Sequence, residues 1–282
     1  MKPAWRTSRV NIANKPIPAL SSTHTLIDSH CHLDMNEYRD DLDLVLERAA
    51  THGVKGVVTI GIDLASSQAA VAIAKNYHGV RATIGIHPHD AGKSTRRDLE
   101  DLAELAAEPE VVAYGEIGLD YVKQYSDVDV QRALFLEQLN LAKELQLPVV
   151  IHDREAHEDC LKYIRAAGPF EHGGIMHCFS GDMEYARKLM DCNFHISIPG
   201  IITYKKADQM QAVAKQVPLE RLLVETDGPF LAPAPYRGKR NEPLFTLYTA
   251  QAIADIRQTS LEEIAASTTK NCCELFNYQF NR

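Results

Sequence analysis

Residues 54–86 read VKGVVTIGIDLASSQAAVAIAKNYHGVRATIGI, and this stretch predicts a strand, a helix and a second strand. The runs at 54–60 and 80–86 are short and rich in β-branched and apolar residues, whereas 65–77 is longer and amphipathic. A strand, a helix and a strand in succession indicate two parallel strands, because a parallel pair needs a long crossover connection. The stretch is therefore predicted to form a βαβ unit.

The same alternation repeats along the chain. Eight strands are predicted at 25–28, 54–60, 80–86, 111–116, 147–151, 174–177, 193–197 and 221–225. Helices are predicted at 38–52, 65–77, 95–107, 128–145, 156–167, 183–192, 205–215, 242–256 and 261–276. Eight strand–helix units over about 250 residues predict the α/β class and a (β/α)8 TIM barrel. No glycine-rich phosphate loop follows the first strand, which argues against a Rossmann fold.

The organisation outside this pattern is simple. No linker rich in proline, glycine or serine divides the barrel pattern, so we expect a single domain at 25–282. Residues 1–24 are basic and contain three prolines, and they lack the apolar stretch of a signal peptide, so we expect a poorly ordered N-terminal extension. No run approaches the roughly 18 apolar residues that a membrane-spanning helix needs, and we expect no membrane association.

Charge and cysteine content restrict the partners and the compartment. The 282 residues include 30 Lys+Arg and 38 Asp+Glu, which gives a net charge of -8. An acidic chain repels a polyanion, so broad electrostatic binding of nucleic acid is disfavoured, although metal ions held by clustered carboxylates would reverse the sign locally. The six cysteines form no C-x-x-C pair, which favours reduced thiols and a cytoplasmic protein.

Imidazole or carboxylate groups stand at the ends of six predicted strands. The carboxyl ends of barrel strands meet at one mouth, where barrel enzymes place their active sites. The residues expected to converge there are His30, His32, Glu116, His152, His177 and Asp227. Neutral and anionic donors packed this closely are costly unless a cation binds them. The pattern therefore predicts a metal site at the C-terminal ends of the strands.

The number of donors predicts two ions, since six ligands exceed what one tetrahedral ion needs. A natural division shares Glu116 as the bridge between them. One ion is then held by His30, His32, Glu116 and Asp227, and the other by Glu116, His152 and His177. Imidazole and carboxylate without thiolate suit Zn, Mn or Mg, so the identity of the ions stays open. Glu225 faces the same side as Asp227 and is expected to hydrogen-bond a ligand or to hold a third ion.

The motifs that carry these residues resemble those of the TatD family of metal-dependent deoxyribonucleases, within the amidohydrolase-type barrels. They are IDSHCHLD at 27–34, GIHPH at 85–89, GEIGLD at 115–120, PVVIH at 148–152, HCFSG at 177–181, ETDGP at 225–229 and RGKRNEP at 237–243. The resemblance covers nearly all of 26–276, and no expected metal position is substituted. It implies hydrolysis of phosphodiester bonds in DNA by a 3'-5' exonuclease acting on single strands, with RNA as an alternative substrate.

Three residues are candidates for the catalytic chemistry. Phosphoryl transfer needs a positioned oxygen nucleophile and cations that neutralise developing charge. Asp227 would orient a water molecule or accept its proton, and Glu116 would bridge the ions. His87 would hydrogen-bond a phosphate oxygen or the leaving group, although a loop histidine bonded to backbone is an equally good interpretation.

Basic residues beside the ligands are candidates for substrate binding, because arginine suits bidentate contact with phosphate. They are Arg154, Arg237, Lys239 and Arg240. Tyr121 and Phe179 adjoin the ligand-bearing turns and could stack on bases, although loop packing is the more ordinary use of such rings. The expected partner is therefore the end of a nucleic-acid strand, bound by a protein that we expect to be a monomer.

Two other functions are compatible with the same residues. An amidohydrolase acting on a small amide, lactone or phosphoester shares the barrel and the His-x-His pattern, but such enzymes often bridge their metals with a modified lysine. Strand four here carries Glu116 and no lysine at the equivalent place. A metal-binding scaffold without turnover is the third alternative, since fold alone does not establish catalysis.

Overall fold

The computed structural model describes residues 16–278. Eight strands form one parallel sheet in which neighbours in sequence are neighbours in space, from β1 to β8. The strands are β1 (Leu26–Cys31), β2 (Val54–Ile60), β3 (Val80–Ile84), β4 (Val111–Asp120), β5 (Val149–Arg154), β6 (Gly174–Met176), β7 (Phe194–Ile198) and β8 (Leu222–Val224). This order confirms the predicted succession of parallel units.

Helices cover the outside of the sheet. They are α1 (Leu42–Thr51), α2 (Leu64–Asn76), α3 (Arg96–Leu105), α4 (Val128–Glu144), α5 (His157–Ala167), α6 (Met183–Met190), α7 (Asp208–Gln216), α8 (Thr246–Arg257) and α9 (Leu261–Leu275). Short 3-10 helices lie at Pro88–Asp90, Gly200–Thr203, Leu219–Arg221, Ala234–Tyr236 and Pro243–Phe245. Asp63 and Thr95 cap α2 and α3 with capping boxes, which sets where these helices begin.

The first and last strands meet and nearly close the sheet into a barrel. Cys31 and Gly228 form an isolated parallel bridge, and the backbone N–H of His32 donates to the carbonyl of Gly228 at 2.7 Å. The fully buried Asp28 accepts a hydrogen bond from the backbone N–H of Thr226 at 2.9 Å. The eight-stranded sheet is therefore nearly closed, which confirms the predicted (β/α)8 TIM barrel.

Three element boundaries differ from the prediction by four residues, and the others differ by three or fewer. β4 continues to Asp120 because its last residues pair with β5. The helix predicted at 38–52 begins at Leu42, after turns that the backbone N–H groups of Tyr38 and Asp41 close. The helix predicted at 242–256 begins as a 3-10 helix at Pro243, whose ring provides no N–H, and becomes α-helical at Thr246.

The N-terminal segment contacts the barrel where the structure describes it. Residues 1–15 lie outside the described part of the chain. Beyond them, Tyr248 on α8 donates from its hydroxyl to the carbonyl of Pro16 at 2.9 Å, and Ile17 and Leu20 pack against the hydrophobic core. The boundary predicted at residue 24 therefore separates β1 from a segment that contacts the barrel through Pro16, Ile17 and Leu20.

Two further features concern the cysteines and the lengths of the helices. All six cysteines fall within the described residues, and all are free. Among residues 16–278, no helix is both long enough and apolar enough to cross a membrane.

Candidate metal centre

Glu116 lies at the centre of the barrel mouth, and one of its oxygens faces the end of β1. Its Oε2 is 3.4 Å from Nε2 of His30 and 3.8 Å from Nε2 of His32. The same two nitrogens are 3.8 Å and 3.4 Å from Oδ1 of Asp227, which follows β8. His30 and His32 point to the same side because they are two apart in extended chain, while Cys31 between them is fully buried.

The second oxygen of Glu116 faces a different set of imidazoles. Oε1 is 2.8 Å from Nδ1 of His152, 3.1 Å from Nε2 of His177 and 3.5 Å from Nε2 of His87. His152 lies on β5, whereas His177 and His87 follow β6 and β3, so the closure of the barrel brings them together. The structure thus places the two carboxylate oxygens of Glu116 toward two separate groups of nitrogen donors.

Three groups of side chains offer donor atoms within 4.8 Å of one another. They are His30, His32 and Asp227; His30, Glu116 and His177; and His87, Glu116 and His152. All six predicted ligands occur in these groups, together with His87, which was not among the predicted ligands. Whether each residue binds a metal stays a prediction.

Buried atoms without partners show that the cluster fits a cation. Both ring nitrogens of His30, Nδ1 of His32 and Oε2 of Glu225 are buried and have no hydrogen-bond partner within residues 16–278. Burying an unpaired polar atom costs free energy, and an ion bound by these atoms would offset that cost. The donor set therefore fits divalent metal ions.

The protonation of the cluster reflects close packing of carboxylates and imidazoles. Burial opposes ionisation of Glu116, but His177 and His87 outweigh it, so its pKa lies well below the usual range. Burial likewise opposes the charged form of His177, yet Glu116 and Glu225 raise its pKa well above the usual value. Burial and the adjacent His177 lower the pKa of His30. Protons on the imidazoles here compete with a metal, so binding of an ion would release them.

Glu225 orients His177 toward the centre. Its Oε1 accepts from Nδ1 of His177 at 3.1 Å and from the backbone N–H of Cys178 at 2.8 Å. These contacts leave Nε2 of His177 facing Glu116. The arrangement is that of a hydrogen-bond partner to a candidate ligand, one of the two roles predicted for Glu225.

His87 is held with a defined tautomer. Its Nδ1 accepts a hydrogen bond from the backbone N–H of His89 at 3.1 Å, so the ring proton is on Nε2, which faces Glu116. Burial and the nearby His152 lower the pKa of His87 to about 4. The imidazole is therefore neutral near pH 7 and has one N–H directed at the cluster.

Asp120 and His89 belong to the site although neither was among the predicted site residues. Oδ2 of Asp120 accepts from Nε2 of His89 at 2.7 Å and lies 3.3 Å from Nε2 of His152. His152 is thus held between Asp120 and Glu116. A signal was present, because Asp120 stands four residues after Glu116, and residues two or four apart on a strand share a face.

Gly118 permits the close approach of β4 to β5 beside His152. Its φ is +144°, and a Cβ at this position would lie 1.9 Å from the carbonyl oxygen of His152. No other residue fits without moving the backbone. Glycine here thus allows His152 to lie within reach of Glu116.

The predicted phosphate-binding residues lie in different surroundings. Arg154 at the end of β5 and Lys239 are exposed, and the exposed Arg237 places its guanidinium 4.6 Å from the ring centre of Tyr204. Arg240 is buried, and its Nη1 and Nη2 lie 2.7 Å and 2.8 Å from the two carboxylate oxygens of Asp41. The structure does not bring Arg240 to the metal cluster.

The two rings considered for base stacking contact other parts of the protein. Phe179 is 1% exposed and stacks on Tyr185, with ring centres 5.8 Å apart. Tyr121 donates from its hydroxyl to Asp159 at the start of α5. Both therefore pack against their surroundings, which was the more ordinary alternative.

A parallel barrel whose mouth gathers imidazoles and carboxylates defines the class of metal-dependent hydrolases. Comparison with known proteins narrows the class, because the family model described as TatD related DNase matches residues 27–277. The chain belongs to this TatD family.

Individual relatives support the assignment. The uncharacterized metal-dependent hydrolase YabD of Bacillus subtilis is 44% identical over 251 residues, covering 89% of this chain and 98% of the relative. A protein of Escherichia fergusonii named 3'-5' ssDNA/RNA exonuclease TatD is 34% identical and covers 90% of this chain and 100% of the relative. The crystal structure of YjjV, a TatD homologue of Escherichia coli, matches with a TM-score of 0.86 at 31% identity, covering 90% of this chain and 98% of that one.

Proposed function

We propose that this metal-dependent hydrolase cleaves phosphodiester bonds in DNA, as a 3'-5' exonuclease on single strands with RNA as an alternative substrate. The observation that carries the proposal is the position of Glu116. Its two carboxylate oxygens face separate groups of donors at the barrel mouth. The relative from Escherichia fergusonii, which is named as an exonuclease of this polarity, supports it.

The donors suit two divalent ions of Mg, Mn or Zn. One would be held by His30, His32, Glu116 and Asp227 and the other by Glu116, His152 and His177, with Glu225 as partner of His177 or ligand of a third ion. Such ions, when bound, make water a stronger nucleophile at neutral pH and neutralise charge on phosphate oxygens.

The chain's own residues position the reactants. Asp227 has its pKa lowered, because His32 and the other imidazoles outweigh the effect of burial, so it is a carboxylate able to orient a water and take its proton. His87 is neutral and directs Nε2–H toward the cluster, where it donates to a phosphate oxygen or to the leaving group. These roles, with Glu116 as the bridge, form the proposed catalytic set.

The exposed basic residues Arg154, Arg237 and Lys239 are proposed to hold phosphates on either side of the scissile bond. Arg240 could bind phosphate only if its ion pair with Asp41 were broken, so we propose that it contributes least to substrate binding. We also propose that the protein acts as a monomer in the cytoplasm. Six free cysteines are typical of a reducing compartment, and all the grouped donors come from one chain.

The test is degradation of a 5'-labelled single-stranded oligodeoxynucleotide by purified protein with Mg, Mn or Zn. A ladder that shortens from the 3' end is expected, and a chelator or Glu116→Ala should abolish it. Glu137→Ala, which removes an exposed glutamate on α4, is the matched control and should retain wild-type activity. Elemental analysis should find two ions per wild-type chain and fewer in Glu116→Ala.

The outcome that would contradict the nuclease proposal is the activity of the alternative, an amidohydrolase of small molecules. If no oligonucleotide is cleaved with any divalent metal while an ester or lactone is hydrolysed, the nuclease proposal is wrong and an amidohydrolase of small molecules replaces it. If the protein binds metal but turns over neither class of substrate, the third alternative, a metal-binding scaffold without catalysis, would be supported.

A further inference from the structure

Two aromatic rings remain exposed at the barrel mouth. Tyr125, in the loop after β4, is 68% exposed, and Phe230, in the loop after β8, is 39% exposed. Both loops follow the carboxyl ends of strands, where the donor cluster lies. A single exposed ring is ordinary on a protein surface, but two rings that border a donor cluster are positioned to contact a ligand bound there.

Each ring lies against a histidine at one end of the cluster. Tyr125 meets the ring of His89 edge to face, with centres 4.8 Å apart, and Phe230 meets His32 with centres 6.1 Å apart. The path between them is an unbroken series of ring contacts through His89, His87, His152, His177, His30 and His32. Tyr125 and Phe230 therefore flank the cluster on opposite ends of this line.

We propose that Tyr125 and Phe230 are stacking platforms for the two bases on either side of the scissile phosphate, a proposal that rests on the nuclease function proposed above. Every base has a flat face that stacks on an aromatic ring without regard to sequence. A strand whose scissile phosphate lies at the mouth of the donor cluster, against ions held there, would place one base toward each ring. Bases in a duplex are already stacked on each other, so this geometry selects single strands.

A protein partner fits these rings less well. An apolar protein interface needs a contiguous patch, whereas a polar cluster of imidazoles and carboxylates separates Tyr125 from Phe230. Two separated rings around a site suited to cations match a chain that alternates flat bases with phosphates. The exposed Lys123, two residues before Tyr125, adds a positive charge beside the first ring.

The kinetic test compares Tyr125→Ala and Phe230→Ala with the ring-retaining Tyr125→Phe and Phe230→Tyr. Each alanine variant should raise KM for a single-stranded oligodeoxynucleotide by about fivefold or more, and the ring-retaining variants should keep the wild-type KM. Val122→Ala removes an exposed aliphatic side chain from the same loop as Tyr125, and it should leave KM unchanged. For an oligonucleotide with abasic sites beside the scissile bond, wild-type protein should have a KM as high as that of the alanine variants for the normal oligonucleotide.

A binding test separates this proposal from the nuclease activity. A Tyr125→Trp variant, in a chain whose only natural tryptophan is Trp5, should lose emission when a hydrolysis-resistant phosphorothioate oligonucleotide binds, and an abasic oligonucleotide should quench it much less. If wild-type protein cleaves the oligonucleotide and the alanine variants have the same KM as wild type, the stacking proposal is wrong and the nuclease proposal is unaffected. If wild-type protein cleaves no oligonucleotide, quenching of Tyr125→Trp that depends on the presence of bases would still support the stacking proposal. If the quenching does not depend on bases, the stacking proposal is wrong.

Discussion

Asp120 is the residue that best illustrates how the site depends on contacts beyond the candidate ligands. Its Oδ2 contacts His89 and His152, and its Oδ1 accepts from the backbone N–H groups of Val122 and Lys123 at 2.9 Å and 2.8 Å. Burial opposes ionisation of Asp120, yet His152, the Lys123 amide and His89 keep its pKa below the usual range. A carboxylate fixed in this way holds the imidazole of His152 in one orientation.

We predict that Asp120→Asn lowers metal affinity or kcat by about 10- to 100-fold, because an amide cannot accept all the hydrogen bonds that the carboxylate accepts. Metal titration and oligonucleotide hydrolysis measure the two quantities. Asp129→Asn, at an exposed position on α4, is the matched control. Wild-type metal affinity and wild-type kcat in Asp120→Asn would show that His152 needs no such support.

His195 on β7 gives a pH dependence far from the metal centre. Burial and the positive charge of Arg221 lower its pKa from 6.5 to about 4. Between these values the unfolded chain binds a proton that the folded chain does not, so the free energy of unfolding falls as the pH falls. From about pH 7 to about pH 5 this histidine should remove about 2 kcal/mol of stability.

Urea unfolding of His195→Asn and wild type, with chelator present, measures this effect. The variant should lose about 2 kcal/mol less than wild type over that interval, because asparagine does not titrate. His172→Asn, at an exposed histidine in the loop before β6, should follow the wild type. Parallel curves for His195→Asn and wild type would contradict the prediction.

At the scale of elements, regular patterns were predictable and long-range pairing was not. β2 spans Val54–Ile60 as predicted, since five of its seven residues are β-branched and such a run needs little tertiary information. β4 was predicted to end at Glu116, and the glycine and aspartate beyond it are residue types that disfavour strands. Its last residues remain in the sheet through pairing with β5. The ion pair of Arg240 with Asp41 joins residues 199 apart, and no local pattern indicates it.

The contact between α1 and the segment before α8 includes an ion pair in which only the carboxylate is fully buried. Nη2 of Arg48 lies 2.6 Å from Oε2 of Glu242, whose side chain is fully buried. Burial raises the pKa of Glu242 although Arg48 opposes it. Removing the arginine would therefore leave a buried carboxylate with less compensation.

Arg48→Met should cost about 3 kcal/mol of stability near neutral pH. The cost should shrink in acid, where Glu242 is protonated and no longer needs a counter-charge. Lys188→Met breaks a pair of the same 2.6 Å length with Glu184 on the surface of α6 and should cost about 0.5 kcal/mol. Equal losses of unfolding free energy in the two variants would show that the Arg48 pair behaves as a surface pair.

At the scale of the whole molecule, the barrel explains why donors from residue 30 to residue 227 could be grouped from the sequence alone. Parallel strands that close a barrel bring all their carboxyl ends to one mouth, so position at a strand end was sufficient to group them. Exposure was not predictable in this way. Phe179 is buried and Tyr121 is partly buried against neighbouring side chains, although both stand near ligands in sequence, whereas Tyr125 and Phe230 are exposed because of loop geometry.

The net charge of -8 leads to a last prediction about binding of single strands by the whole molecule. An acidic protein that holds a strand through Arg154, Arg237 and Lys239 makes about three phosphate contacts, each contributing roughly -0.7 to the slope of log K against log salt. We therefore expect a slope of about -2 for a hydrolysis-resistant oligonucleotide, measured by fluorescence anisotropy at constant divalent metal. Arg237→Ala should make the slope shallower by about 0.7, whereas Arg187→Ala on the outer surface of α6 should not change it. A slope steeper than about -4, or one that Arg237→Ala leaves unchanged, would mean that the strand is held by a broad surface elsewhere on the protein.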